Sequence, residues 1–179
     1  MQKLFFLLAL TFSSVTIAAN VNGWAWSSNI GWVSFNQVGI NLDTGEFNGY
    51  AWSDGIGWIQ MNPKGPYPAQ PFNSAQVEAD NIVYGWARAL AATADNSGDW
   101  DGWIKFSGNN YKVQQVTDPD TGCYLSGYAW GSDVIGWLRF GSKDNGDKVT
   151  LGSCASGGAP PVDEDPPPQI ICDFSANIF

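Results

Sequence analysis

Residues 23–35 have the sequence Gly-Trp-Ala-Trp-Ser-Ser-Asn-Ile-Gly-Trp-Val-Ser-Phe, and this phrase returns along the chain in three further copies. The second copy begins at Gly49, a divergent third copy begins at Gly85, and the fourth begins at Gly127. Every one of the ten tryptophans except Trp100 belongs to a copy. Repetition of one short unit predicts a repeat architecture, in which neighbouring units bury each other's apolar surfaces.

Within each copy the residue types alternate with period 2, which predicts strands rather than helices. A turn at Ser28-Asn29 would pair Trp26 with Gly31 and place Trp32 on the opposite face. We therefore expect one face to form the core. Its members would be Trp24, Trp26, Val33 and Phe35 in the first copy, Tyr50, Trp52, Ile59 and Met61 in the second, and Tyr128, Trp130, Leu138 and Phe140 in the fourth.

A third apolar-alternating segment follows each hairpin, at residues 38–42, 75–79, 111–115 and 148–151. The predicted fold class is therefore all-β: four tryptophan-rich, three-stranded antiparallel repeats closed into a barrel, a sandwich or a propeller-like array. The chain of repeats starts on a first strand and ends on a third strand, so the last unit can complete the first. Closure of this kind removes exposed sheet edges.

The amino-terminal residues 1–19 have the features of a secretory signal peptide: Lys3, an apolar run from Leu4 to Leu10, and small residues at 16–19. That run is shorter than the roughly 20 apolar residues of a membrane-spanning helix. No later segment is more apolar, so we expect no membrane span in the mature chain. The predicted localisation is secreted, extracellular or at the cell surface, with a repeat domain at residues 20–156.

The carboxyl-terminal part has two predicted segments of different character. Residues 157–168 form a proline-rich acidic linker, and residues 169–179 contain a strict apolar alternation over 170–178. One strand cannot fold alone. It would add to the sheet of another copy of this chain, dock on its own domain, or open a further module in a longer protein.

Charge and composition exclude several classes of function. The formal net charge of −9 becomes −10 without Lys3, which argues against nucleic acid as a partner because an acidic surface repels phosphate. No histidine occurs in the chain, so Ser-His-Asp and Cys-His machinery and the usual zinc sites are excluded. Two carboxylates suffice for glycoside hydrolysis, but most acids here fall in turns or in the linker. We therefore expect a protein that is not an enzyme.

Three cysteines are an odd number for an exported chain. Cys123 and Cys154 flank the fourth copy near the ends of strands that could be neighbours, which predicts a disulfide between them. Cys172 lies beyond the linker. It is then free, paired outside this chain, or a competitor for Cys154.

The tryptophan of the second half of each copy is the clearest candidate for ligand contact. These residues are Trp32, Trp58, Trp103 and Trp137, and each shares its face with a polar neighbour, respectively Ser34, Gln60, Lys105 and Arg139. An outward indole can stack on a sugar ring while the polar neighbour binds hydroxyl groups. The alternative is structural, because an aromatic ring can cover a glycine or alanine on the adjacent strand.

An acidic segment in the third copy supplies oxygen atoms that calcium could use. Asp95, Asp99 and Asp101 lie close together in sequence, and hard cations bind several carboxylate and carbonyl oxygens. However, Trp100 stands where the helix–loop–helix calcium motif has glycine, and the terminal bidentate glutamate is missing. A surface acidic loop is the alternative, and no other cofactor is expected.

The consensus Gly-Tyr-Ala-Trp-Ser-x-x-Ile-Gly-Trp-Ile-x-Met/Phe resembles a repeat of uncharacterised secreted or surface proteins of bacteria, which often precedes proline-rich linkers and immunoglobulin-like modules. The resemblance covers residues 23–155, and the tail at 172–176 is similar to the opening strand of such a module. It implies an extracellular surface context and brings no catalytic residues. The third copy departs from the repeat, since Arg88 stands where tryptophan is expected.

Two functions are compatible with these observations. The first is a non-catalytic extracellular module of a bacterial surface or matrix protein, acting in structure or adhesion. Its partners would be other surface or matrix proteins, or another copy bound through residues 170–178. The alternative is a carbohydrate-binding module that holds a polysaccharide on its outward tryptophans.

Overall fold

A computed structural model of the chain describes residues 18–94, 97–120, 122–141 and 147–157. These residues confirm the all-β prediction, since they form fourteen strands of one sheet. The strands are β1 Ala18–Ser27, β2 Gly31–Ser34, β3 Val38–Asn41, β4 Phe47–Ser53, β5 Gly57–Gln60, β6 Gln76–Val77, β7 Ile82–Tyr84, β8 Trp86–Ala89, β9 Trp103–Lys105, β10 Ser107–Gly108, β11 Tyr111–Asp118, β12 Gly122–Trp130, β13 Trp137–Phe140 and β14 Val149–Thr150. A 3-10 turn covers Leu90–Thr93, and a single-turn helix, α1, covers Ser132–Ile135.

Several predicted segments lie outside the described residues. These are the signal segment up to residue 17 and everything beyond Gly157, including nearly all of the linker and the alternating tail. Ala18 and Ala19 begin β1, where they pair with Asn41 and Ile40 of β3. Neither helix in the described ranges is long or apolar enough to cross a membrane.

Four hairpins, one from each repeat, form the upper tier of the fold. They are β1–β2, β4–β5, β8–β9 and β12–β13. We call the corresponding units 1 to 4, at residues 18–42, 46–79, 82–118 and 122–151. Neighbouring hairpins pair edge to edge, β2 with β4, β5 with β8, β9 with β12, and β13 with β1. The eight strands therefore close into a ring.

The third segments form a lower tier with the same cyclic order. All four predicted third strands are present, as β3, β6, β11 and β14, and each lies between the first strand of its own unit and that of the next. β6 reaches β4 through a bridge between Glu46 and Gln76. Because β13 and β14 both pair with β1, the last unit completes the first, as predicted.

The hairpin register differs by one residue from the expected register. Ser27 pairs with Gly31 across a loop of three residues, so Trp26 faces Trp32 and Trp24 faces Ser34. A one-residue shift moves a whole set of side chains to the other face of a sheet. The prediction that the paired first-strand aromatics form the core was therefore wrong. Trp24, Trp26, Tyr50, Trp52, Tyr128 and Trp130 lie on the outer face.

The core instead contains the alanine that separates those aromatics, together with the apolar residues expected from the second strands. Ala25, Ala51, Ala87 and Ala129 are all fully buried, beside Val33, Ile59, Ile104 and Leu138. The last residue of each phrase, Phe35, Met61, Phe106 and Phe140, is also buried in this one cluster. The ring centroids of Phe35 and Phe140 lie 5.4 Å apart, so units at the two ends of the chain share a core contact.

Two buried serines connect the loops of neighbouring units. The Ser53 hydroxyl donates to the carbonyl of Ile30 at 3.1 Å, and the Ser27 hydroxyl donates to the carbonyl of Ile135 at 2.6 Å. Both serines have no exposed surface. The hydroxyl of Ser27 also accepts the backbone N–H of Asn29, so it supports its own loop as well.

Replacing Ser27 by alanine is expected to lower the free energy of unfolding by about 1–3 kcal/mol, because the Ile135 carbonyl would lose its buried donor. Chemical denaturation followed by tryptophan fluorescence measures this change. Ser28→Ala is the matched control, since Ser28 is exposed, and should stay within about 0.5 kcal/mol of the wild type. Equal effects in the two variants would contradict the assigned link between units 1 and 4.

The predicted disulfide between Cys123 and Cys154 is confirmed. Their Cα atoms are 5.1 Å apart, with Cys123 buried in β12 and Cys154 exposed after β14. The bond anchors the end of unit 4 to its first strand. Cys172 lies outside the described residues.

Candidate functional site

Four equivalent clusters of large side chains lie around the outside of the upper tier. We name them by unit: face 1 is Trp24, Trp26 and Trp32; face 2 is Tyr50, Trp52 and Trp58; face 3 is Trp86, Arg88 and Trp103; face 4 is Tyr128, Trp130 and Trp137. In each, the last member pairs across the hairpin with the middle member. The clusters therefore repeat because the hairpin register repeats.

The central aromatic pair has nearly the same geometry on three faces. The ring centroids are 4.9 Å apart for Trp26 and Trp32, 4.7 Å apart for Trp52 and Trp58, and 4.8 Å apart for Trp130 and Trp137. The rings meet at interplanar angles of 57–66°, an edge or tilted arrangement that aromatic pairs favour. Each indole is thus held by its neighbour, and the outer surface of the pair has a fixed shape.

Faces 1, 2 and 4 remain open to solvent. Trp24 and Trp32 are 43% and 46% exposed, and the exposure of Trp58 and Trp137 is 37% and 46%. Isolated exposed apolar residues are ordinary, whereas clustered ones mark interaction surfaces. Three open clusters of this kind on one domain are therefore the best candidate for a functional site.

The structural alternative proposed from the sequence, in which each indole covers a small residue on the adjacent strand, does not describe these faces. Ala25 and Ala51 point into the core, on the side opposite the indoles. The indoles pack on one another instead. Packing of this kind still leaves about two-fifths of the Trp24 and Trp32 surfaces free.

The predicted polar neighbours lie between adjacent faces. Ser34 pairs with Trp24 within its unit and with Trp52 of the next unit, and Gln60 similarly lies between Tyr50 and Arg88. Lys105 and Arg139 occupy the equivalent places in units 3 and 4, where they pair with Trp130 and Trp26. Each candidate tryptophan therefore lies two residues before its polar neighbour on the same strand, and a ligand role for these residues stays a prediction.

Arg139 differs from the other three polar neighbours because a carboxylate binds it. Its Nε donates to Oδ2 of Asp147, whose side chain has no exposed surface. The guanidinium side chain itself remains 44% exposed. One of its donors is thus committed to the protein, and the Asp147 carboxylate balances its charge.

Face 3 is covered, contrary to the expectation that Trp103 points outward into solvent. Trp86 and Trp103 are only 8% and 7% exposed. A segment of unit 2, residues 62–74, lies over them, and we call it the covering loop. The Tyr67 ring lies 5.5 Å from Trp103, between ring centroids, and the Trp86 Nε1 donates to the carbonyls of Ala69 and Pro71.

Cations reinforce this covered face where the sequence departs from the repeat. The Arg88 guanidinium lies 4.8 Å from the centre of the Trp103 ring, and the Lys105 ammonium lies 5.1 Å from that of Trp86. Cations over aromatic rings are attracted by the ring quadrupole. Arg88 thus substitutes for the missing indole by stacking on Trp103 from the equivalent position.

A cavity of about 350 Å³ lies at the start of β4. Its lining combines amides, one carboxylate, one amine and one phenol, contributed by Asn41, Glu46, Asn48, Asn62, Lys64 and Tyr67 among others. Burial raises the pKa of the Tyr67 phenol, whose hydroxyl donates to the carbonyl of Pro63 at 2.7 Å. Asn48 and Tyr50 are separated by one residue on β4, so the cavity and face 2 lie along the same strand.

The acidic residues proposed as calcium ligands are only partly described. Asp95 lies outside the described residues, while Asp99 and Asp101 are exposed. Asp101 is engaged with its own loop, since one carboxylate oxygen accepts the backbone N–H of Trp103 at 3.2 Å. Across the described ranges, no three acidic, cysteine or histidine side chains gather as a metal-binding group. Calcium binding stays a prediction.

Sequence reasoning missed the burial of three acids, Glu78, Asp118 and Asp147. Glu78 is 2% exposed, and its Oε2 atom has no hydrogen-bond partner. Burial raises the pKa of this carboxyl, and the nearby negative charge of Asp80 raises it further. No pattern in the sequence distinguishes Glu78 from the acids of exposed turns, because its burial depends on contacts between units.

The residues that sequence reasoning missed at the open faces are the first-strand aromatics. The sequence contained a usable signal, the glycine at position 31 directly after the turn. In the structure this glycine has a φ of 75°. A glycine at that position is typical of three-residue hairpin loops, which set the observed register.

Comparison with known proteins adds nothing to this geometry: no family model, curated protein or solved structure matches the chain.

Proposed function

We propose that this chain is a non-catalytic binding module of an exported protein, acting in adhesion or structural contacts at a cell surface. The observation that carries the proposal is the set of three open aromatic faces on a closed scaffold. Tryptophan and tyrosine are the residues that most often dominate binding energy at protein surfaces. Here they are displayed in triplicate, which suits multivalent attachment.

The architecture supports contact through faces rather than through sheet edges. In the ring of eight strands each strand pairs on both sides, so the hairpins present no free edge for strand addition. Each indole is braced by the adjacent ring, so little side-chain entropy is lost when a partner binds. Rigid aromatic clusters on a closed ring are a suitable surface for durable attachment.

Carbohydrate binding is the second candidate, and a specific observation favours it. Face 2 carries the indoles of Trp52 and Trp58, and the start of its strand β4 borders a polar cavity lined by amide and hydroxyl groups. An aromatic plane beside neutral hydrogen-bonding groups suits a sugar ring. Glu46 and Lys64 contribute opposite charges to the lining, so a neutral sugar is favoured over a charged one.

One retention assay tests both candidates. Microspheres coated with the full exported chain are passed under flow over slides bearing surface proteins and over slides bearing neutral polysaccharides. We expect the microspheres to be retained on one class of slide. The number retained should fall at least about tenfold for the triple variant Trp32→Ala/Trp58→Ala/Trp137→Ala, because each truncation removes an aromatic side chain that contacts the partner.

The matched control is Phe72→Ala/Val134→Ala, which removes two exposed apolar side chains outside the open faces. It should be retained like the wild type. Retention on polysaccharide alone selects the second candidate. No retention on either class, or equal retention of the triple variant, contradicts a binding role for the faces.

A further inference from the structure

Face 3 shows how one of these clusters receives a peptide. The covering loop has four prolines, Pro63, Pro66, Pro68 and Pro71, in a segment that forms neither helix nor strand before Ser74. Its Tyr67 ring packs on Trp103, and its carbonyls at Ala69 and Pro71 accept the Trp86 indole N–H at 3.1 and 3.0 Å. The covering loop thus makes two kinds of contact with face 3. Its tyrosine ring packs on one indole, and its backbone carbonyl oxygens accept the N–H of the other.

Face 1 offers the same two indoles without a cover. Trp24 pairs with Ser34 as Trp86 pairs with Lys105, and Trp32 occupies the place of Trp103. The corresponding first position is tyrosine on faces 2 and 4, at Tyr50 and Tyr128. Of the three open faces, face 1 is therefore the one that has an indole N–H donor at the position equivalent to Trp86.

We propose that face 1 binds a proline-rich segment of a partner protein. The Trp24 Nε1 donates to backbone carbonyls of that segment, and a proline or tyrosine ring packs on Trp32. Proline-rich segments suit such a surface because each proline fixes φ, which lowers the entropic cost of ordering the segment, and because the backbone carbonyls stay free to accept. This inference rests on the proposed binding function and names the chemistry of its partner.

Charge selects among proline-rich segments. Residues 20–156 carry thirteen acidic and seven basic side chains, whereas the covering loop has Lys64 and no acid. The chain's own linker, residues 157–168, is proline-rich but has three acids and no base. Like charges repel, so the linker is disfavoured as the occupant of face 1. The partner segment is neutral or basic and belongs to another protein.

The test uses a synthetic peptide with the sequence of residues 62–72, Asn-Pro-Lys-Gly-Pro-Tyr-Pro-Ala-Gln-Pro-Phe, added to the full exported chain. Isothermal titration measures affinity, and the indole N–H signals in a nitrogen–proton NMR spectrum locate the site. We expect the Trp24 signal to shift. Trp24→Phe should weaken binding about fivefold, since it removes one hydrogen bond and keeps a ring.

Trp32→Ala should weaken binding at least about tenfold, since it removes the stacking surface. Phe72→Ala, which removes an exposed aromatic side chain outside the open faces, is the matched control and should bind like the wild type. A peptide with its prolines and tyrosine replaced by alanine, and a peptide of residues 157–168, should not bind. Each variant is checked for retained NMR dispersion; Trp24 and Trp32 are exposed, so truncation leaves the core intact.

The outcomes separate this inference from the proposed function. Peptide binding that Trp24→Phe and Trp32→Ala leave unchanged, or that Phe72→Ala weakens equally, overturns face 1 as the site. No peptide binding in a chain that is retained on protein or polysaccharide slides overturns the inference and leaves the adhesion proposal standing. Failure in both assays overturns both.

Discussion

Replacing Gly127 by alanine is expected to lower the free energy of unfolding by about 3–5 kcal/mol, one of the two largest effects predicted for this domain. Gly127 has a φ of 112°, where side chains other than hydrogen are strained. A Cβ atom there would lie 2.1 Å from the carbonyl oxygen of Lys112 on the neighbouring strand. The clash is with backbone, so β11 and β12 would have to separate. Urea denaturation followed by fluorescence measures the loss.

Gly31→Ala is the matched control for this prediction. Gly31 also has a positive φ, at 75°, but a Cβ atom there would meet no other atom within 4 Å. Only backbone strain is then added, and we expect a loss of about 1–2 kcal/mol. If Gly127→Ala and Gly31→Ala lower the free energy of unfolding equally, the close approach of β11 to β12 is not the reason why position 127 requires glycine.

Removing the disulfide is expected to lower the free energy of unfolding by about 3–4 kcal/mol. The reason is that the unfolded chain regains the conformational entropy that a cross-link spanning 31 residues removes. The variant is Cys123→Ala/Cys154→Ala, and thermal unfolding by circular dichroism measures it. Part of the loss comes from the buried Cys123 site itself, so reduction of the wild-type protein by dithiothreitol provides a second measurement.

Cys172→Ser is the control for the disulfide prediction. It leaves the bond between Cys123 and Cys154 in place and should not change the unfolding temperature. A loss in Cys172→Ser similar to that of the double variant would show that Cys172 takes part in the stabilising bond, and the assignment of Cys154 as the sole partner would fall.

The candidate site was only half predictable from the sequence. Trp32, Trp58 and Trp137 lie on the outer face as expected, because alternation along β2, β5 and β13 separates them from core residues. The first-strand partners, such as Trp24 and Tyr50, were assigned to the core because indole and phenol rings are the largest apolar groups in the phrase. That assignment was wrong because the first strands place a small side chain inside the ring, the alanine at Ala25 and Ala51.

Short-range information in the sequence determined much of this protein. The repeated phrase and its period-2 alternation imply four strand-forming units, and the order of strands along the chain implies that the last unit completes the first. The spacing of Cys123 and Cys154 around the fourth copy implies their bond. The strands depend on residues near one another in the chain, so pattern and composition are sufficient to predict them, and the order of the repeats limits how the units can pair.

Only the tertiary structure decided which face is inside and which tryptophans are free. The face depends on one residue of register, which the three-residue loop before Gly31 sets through backbone geometry rather than through hydrophobicity. The exposure of Trp24 and the burial of Trp86 follow from where the covering loop of unit 2 lies, across a contact between units. Equivalent positions in similar local sequence therefore differ in exposure because long-range packing, which local patterns do not encode, covers Trp86 and leaves Trp24 open.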